Sequence, residues 1–215
     1  MTINPKYLDK NKKALMLFSV LAAFSLSYYL YITRLDVDIH RSVIAWGSDA
    51  GFKTQLQDVW GLLSRIGEDW FKIIVSITMG VFYYKKCHYQ LSRVWYSSII
   101  IYMLSGVLVQ IMKFIVGRPR PKMLPEYNVE WFEFGARMNS WPSGHTITTF
   151  AFLACVLPFY PRKIQIPMVL LAGLIGFSRV GIGAHYMGDV ISGAVLGYVV
   201  GTLLLQKFKL RKSCK

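Results

Sequence analysis

The chain has 215 residues, of which 54% are hydrophobic, and it carries 25 Lys and Arg against 11 Asp and Glu for a formal net charge of +14. Such a charge alone would suit a nucleic-acid binder, but the apolar content turns the reading toward a membrane protein with basic loops. Cys87, Cys155 and Cys214 show no metal-ligand spacing and suggest no disulfide framework.

The first uncharged apolar run covers residues 14–32, directly after Lys10, Lys12 and Lys13. Its length is close to the roughly 20 residues that cross a bilayer. It ends in Tyr28-Tyr29-Leu30-Tyr31, an interfacial aromatic cluster that favours a retained anchor over a cleaved signal peptide. The connection 33–70 holds Leu56, Val59, Trp60, Leu63 and Ile66 at helical spacing. These predict an amphipathic helix at the membrane surface that packs on the bundle or guides a headgroup. Further apolar runs at 71–84, 94–116, 146–160, 164–177 and 190–205 bring the expected spans to six. Several fall short of a full crossing, mainly on the side where Glu68, Asp69, Ser143, His145, Arg179 and Asp189 stand. The helices are therefore expected to continue past the apolar run and line a polar site. The loop with Trp131, Phe132, Phe134 and Trp141 among Glu126, Glu130 and Glu133 could close over that site. The expectation is one domain over residues 1–215, an all-α, polytopic membrane helical bundle of about six transmembrane helices.

Cytoplasmic loops carry the excess of Lys and Arg. Lys6, Lys10, Lys12 and Lys13, then Lys85, Lys86 and Arg93, then Arg162 and Lys163, then Lys207, Lys209, Arg211, Lys212 and Lys215 make 14 of the 25 basic residues. Asp9 is the one acid among them. Both termini are thus expected on the cytoplasmic side, and the loops after the first, third and fifth spans on the other.

Three polar clusters share that other side. Lys113 ends the third span, and Gly117-Arg118-Pro119-Arg120-Pro121 stops the helix. A residue before proline is pushed toward extended backbone, so Arg120 reaches from a stiff loop toward the point that Lys113 reaches from the helix. Two converging cations suit a phosphate; snorkelling to lipid headgroups is the plainer alternative. Pro142-Ser143-Gly144-His145 opens the fourth span with backbone N–H groups, a hydroxyl and an imidazole where an anion is favoured, or else simply caps a helix. His185 and Asp189, four apart, are expected on one helix face, where the carboxylate fixes the tautomer and leaves the other ring nitrogen as a nucleophile. Arg179 stands upstream across the Gly181/Gly183 turn.

In order, Lys113, Arg120-Pro121, Pro142-Ser143-Gly144-His145, Ser178-Arg179, His185 and Asp189 resemble the three-part signature of the type-2 phosphatidic acid phosphatase family: K-x6-RP, PSGH and SR-x5-H-x3-D. The resemblance covers the motif-bearing core 113–189. It implies a lipid phosphatase of the membrane that needs no metal or other cofactor. His185 would be the nucleophile that forms a phosphohistidine, Asp189 its orienting partner and His145 the general acid and base. Lys113, Arg120, Ser143, Gly144 and Arg179 would bind the phosphate. The implied substrates are phosphate monoesters or pyrophosphates of membrane lipids: undecaprenyl pyrophosphate, phosphatidylglycerol phosphate, phosphatidic acid or lipid A phosphate. A bacterial inner membrane is the expected location, with the bilayer and a lipid phosphate as partners and no nucleic acid. A phosphotransferase with the same phosphohistidine is the alternative. Vanadate haloperoxidases share the signature, but six spans argue against one.

Overall fold

The computed structural model describes residues 10–49, 53–125, 128–132 and 135–207. It consists mainly of eight α-helices: α1 Lys10–Ile32, α2 Leu35–Asp49, α3 Lys53–Ile66, α4 Asp69–Lys85, α5 Tyr89–Ile115, α6 Gly144–Val156, α7 Arg162–Gly181 and α8 Met187–Lys207. In the loop between α5 and α6, β1 (Val116–Gly117) pairs antiparallel with β2 (Glu130–Trp131).

Each expected span coincides with a helix, namely α1, α4, α5, α6, α7 or α8. Among the described residues, four helices (α1, α5, α7 and α8) are long and apolar enough to cross a bilayer, and Gly144–Phe159 is a shorter apolar helix. On the side of the polar clusters, α6 begins at Gly144 and α8 at Met187, ahead of their apolar runs, and α7 continues to Gly181, past its own, so helices do extend beyond the apolar stretches there.

The bundle is built around α8, which packs along α6 and also touches α1, α7 and α5. In lipid, apolar surface gains little by leaving its solvent, so helices associate through close van der Waals contact along small residues. The α6–α8 seam follows that rule. A Cβ at Gly197 would run into the Ile147 carbonyl, and one at Gly201 would stand 2.5 Å from the Ala151 oxygen.

The helix expected from Leu56, Val59, Trp60, Leu63 and Ile66 is α3. It packs on α7, with Trp60 edge-on to Phe177 at 5.4 Å. The helix before it, α2, escaped the sequence reading, although Asp36 and Asp38 in its first turn are the acids a helix N-terminus favours. The aromatic-lid expectation fails for Trp141, which is buried and packs edge-on against Phe24 at 5.0 Å. Trp131 and Phe132 are exposed. Glu126, Glu133 and Phe134 lie outside the described residues, as do Lys6, Asp9, Lys209, Arg211, Lys212, Cys214 and Lys215.

Candidate active site

The C-termini of α5 and α7 and the N-termini of α6 and α8 meet at one end of the bundle. Lys113 is buried in the last turn of α5, with its Nζ 3.8 Å from where a Cβ of Gly144 would stand. Arg120 follows in extended backbone, φ −76° and ψ 155°, as its proline requires. This stretch is fastened to the far side of the loop: Arg120 N donates to Arg137 O at 3.0 Å, and Ser140 N to Arg118 O at 2.9 Å. Ser143 is the N-cap of α6. Its buried Oγ accepts from Thr146 Oγ1 at 2.9 Å, which leaves its own proton to be donated to a bound oxyanion. His145, in the first turn of α6, faces the charges of Arg179, Lys72, His185 and Lys113. Arg179 closes the group from the last turn of α7, where its Nη1 donates to Ser64 Oγ of α3.

His185 sits differently from the sequence expectation. The helix α8 begins only at Met187, so His185 stands in the turn before it, shaped by Gly183 at φ 70°. Its Nδ1 is 2.7 Å from the Ser140 carbonyl oxygen but 3.7 Å from Asp189 Oδ2. A carbonyl can only accept, so Nδ1 carries the proton and Nε2 presents a lone pair. The tautomer is the expected one, but a backbone carbonyl rather than the carboxylate sets it. The reason is that the Asp189 oxygens are already engaged. Oδ1 accepts from Arg118 Nη1 at 2.6 Å, and Oδ2 accepts from Ser140 Oγ at 2.6 Å and Tyr186 N at 2.9 Å. Burial pushes the His185 imidazole down to about 4 against the opposing pull of Asp189, which keeps the ring neutral near pH 7.

Thus Lys113, Arg120, Ser143, Gly144, His145, Arg179, His185 and Asp189 converge, with charge on each cation felt by its neighbours. The Arg120 Nε and Arg179 Nε are buried without a hydrogen-bond partner among the described residues. Three cations so placed repel one another, and a multiply charged tetrahedral oxyanion relieves that repulsion and takes up their donors. Among the described residues, no three His, Cys, Asp or Glu side chains gather as a metal site.

Sequence reasoning overlooked Asp36, Lys72, Arg118 and Ser140. Lys72 is buried at the start of α4, where its Nζ donates to Gly67 O at 2.9 Å and Thr148 Oγ1 at 2.7 Å and pairs with Asp69 at 3.2 Å. A lysine within an apolar run was the available signal for it. A cavity of about 670 Å³ lies on the α1 side of Arg118, between Tyr28 and Trp131, and none of the signature cations lines it. A smaller one of about 80 Å³ lies between α4, α6 and α7, with Lys72 in its wall.

The fold is that of an integral-membrane helical bundle, and the cluster at its end has the chemistry to hold a phosphate. The particular family is the PAP2 superfamily, to which the chain belongs: its family model matches residues 94–213. Lipid A 1-phosphatase from Rhizobium etli is 29% identical over 158 residues, 66% of this chain and 67% of that one. The chain spans about two thirds of that protein and 61% of a second lipid A 1-phosphatase, from Rhizobium johnstonii. The crystal structure of a transmembrane PAP2-type phosphatidylglycerolphosphate phosphatase from Bacillus subtilis superposes with a TM-score of 0.68 at 18% identity. It covers 90% of this chain and 95% of that one. LpxE from Aquifex aeolicus gives a TM-score of 0.61 at 26% identity, over 80% of this chain and 94% of its own.

Proposed function

We propose that the protein hydrolyses a phosphate monoester or pyrophosphate on a membrane lipid through a phosphohistidine at His185. The observation that carries this reading is the Nδ1–H of His185 held on the Ser140 carbonyl, which leaves Nε2 as a neutral nucleophile beside the charges of Lys113 and Arg179. Burial and the surrounding cations push the free His145 imidazole down to about 3, so it is neutral until the negative charge of the bound substrate offsets those cations and lets it take up a proton. Nε2 then attacks phosphorus while the bond to the lipid oxygen breaks, and His145 gives that oxygen the proton. The neutral His145 then takes a proton from water, whose oxygen attacks phosphorus and releases phosphate and free His185. Lys113, Arg120, Arg179, the Ser143 hydroxyl and the backbone at Gly144 hold the charge spread over the equatorial oxygens, work for which no metal is required.

The single-domain plan and a site on the non-cytoplasmic face of a bacterial inner membrane belong to the same reading. Supporting the orientation are the basic residues that crowd the termini and the loops opposite the site. A cysteine at Glu130, in a background without the three native ones, should be labelled by an impermeant thiol reagent on intact cells. Labelling only after lysis would invert the orientation.

The reaction itself is tested with purified protein in detergent against undecaprenyl pyrophosphate, phosphatidylglycerol phosphate, phosphatidic acid and lipid A. Release of inorganic phosphate from at least one lipid should survive excess chelator and be blocked by vanadate. Loss in chelator with recovery in Mg2+ would refute the mechanism. Phosphate release only when a second lipid is phosphorylated would make the protein a phosphotransferase.

A further inference from the structure

Asp36 lies in the first turn of α2, outside every signature motif, yet it is wholly buried. Its Oδ2 accepts from Arg118 Nη2 at 3.0 Å and its Oδ1 from Gly188 N at 2.9 Å, in the first turn of α8. Gly188 leaves the room for it, since a Cβ there would stand 2.7 Å from Asp36 Oδ2. The other arm of the same guanidinium holds Asp189 at 2.6 Å. The Tyr31 ring lies 5.3 Å from the Arg118 guanidinium carbon and the Tyr186 ring 4.3 Å from it. Arg118 also acts through its backbone, because its carbonyl holds Ser140 N, and Ser140 O holds His185.

We propose that Asp36 is a positioning residue for the catalytic centre: by sharing Arg118 with Asp189, it leaves the buried trio one net negative charge that faces His185. This rests on His185 as the nucleophile. When Nε2 bonds to phosphorus and Nδ1 keeps its proton, the ring becomes cationic at a depth where solvent gives little help. Arg118 paired with Asp189 alone would cancel the carboxylate that should offset this charge. A second carboxylate on the same guanidinium restores it. The sharing also ties α2, at the site end of the bundle, to the first turn of α8, so the outer segment is part of the catalytic architecture and not only packing.

The test is a charge cycle in the full-length protein, with kcat and KM measured on one hydrolysed lipid phosphate and thermal unfolding followed in detergent. Asp36→Asn should lower kcat roughly 10- to 100-fold, the range typical of supporting groups around a reactive centre, with KM little changed. Adding Arg118→Gln removes the cation as well, returns the net charge to minus one and should recover most of that loss. A folded double variant no faster than Asp36→Asn would overturn the proposal, as would a loss confined to KM or to the unfolding temperature. If Asp36→Asn cannot be recovered folded, the double variant decides against wild type: activity within about tenfold supports the charge argument, and a folded but inactive protein sinks it. A wild-type protein that hydrolyses no lipid phosphate, or whose hydrolysis survives His185→Ala, would instead refute the function itself.

Discussion

The two ends of the bundle are built on opposite principles. At the end away from the site, α4, α5, α6 and α7 are joined by neutral hydrogen bonds: Trp95 Nε1 donates to Tyr160 Oη at 3.0 Å, and Tyr160 donates to Tyr83 Oη at 3.0 Å. Gln165 Nε2 ties Leu157 O and Tyr160 O at 3.0 and 2.8 Å. At the other end lie Asp36, Lys72, Lys113, Arg118 and Asp189, the Asp, Glu, Lys and Arg side chains that are buried among the described residues. Withdrawing a charge from water costs several kcal/mol even after relaxation, whereas a neutral hydrogen bond contributes about 1 kcal/mol at little risk. The contrast teaches that helices are joined without buried charge at the neutral end, whereas at the other end buried charge also joins α2 to α8 and α4 to α6. Among the described residues, Asp, Glu, Lys and Arg are buried only at the end that holds the candidate site.

The comparison can be broken most severely at His185. Replacing it with Ala should cut phosphate release by about a thousandfold or more. The ring is buried and bonded to Ser140 O, so its loss should also lower the unfolding temperature in detergent somewhat, and that measurement confirms that the variant is still folded when its turnover is read. A variant that kept wild-type turnover would show that the charged end is structural after all.

A second, smaller effect is read in the pH profile. The neutral ring is the reactive form and burial holds its pKa at about 4, well below the ordinary 6.5. Protonation of His185 should therefore spare kcat/KM between pH 7 and 5 and lower it about tenfold per unit below about pH 4. The same depressed pKa means that the ring contributes stability fully above pH 6.5, and this is lost as the pH falls toward about 4. An acid limb centred near 6.5 would mean that the ring titrates as if in water.

The smallest effect belongs to the neutral end. Tyr160→Phe removes one donor from the Trp95–Tyr160–Tyr83 chain and should cost about 1 kcal/mol in denaturant unfolding while leaving kcat and KM unchanged. A fall in kcat would reveal coupling between the two ends.

The helices α1, α4, α5, α6, α7 and α8 were legible in the linear chain because hydrocarbon demands a run of apolar residues, and such a run is local. The convergence of the candidate site residues was legible for a related reason. Lys113 with Arg120, Ser143 with His145, and His185 with Asp189 lie at or beside single helix ends, and Arg179 ends the helix before that last pair, so short spacings bring them to one end of the bundle. The helix α2 left only a weak trace, and the lid assigned to Trp141 was wrong, since an aromatic in a loop reads the same whether it covers a site or packs on Phe24.

What only the tertiary structure decided is who holds whom. Ser140 takes the place beside His185 expected for Asp189, because the loop from Arg118 to Ser140 folds back on itself and delivers a carbonyl there. Asp189 turns to Arg118, and Arg118 to Asp36, across separations of 71 and 82 residues. Periodicity and motif spacing act within one element. Pairing between buried charges is settled by which elements pack together, and each such charge, once out of water, must find its partner wherever the fold has placed it.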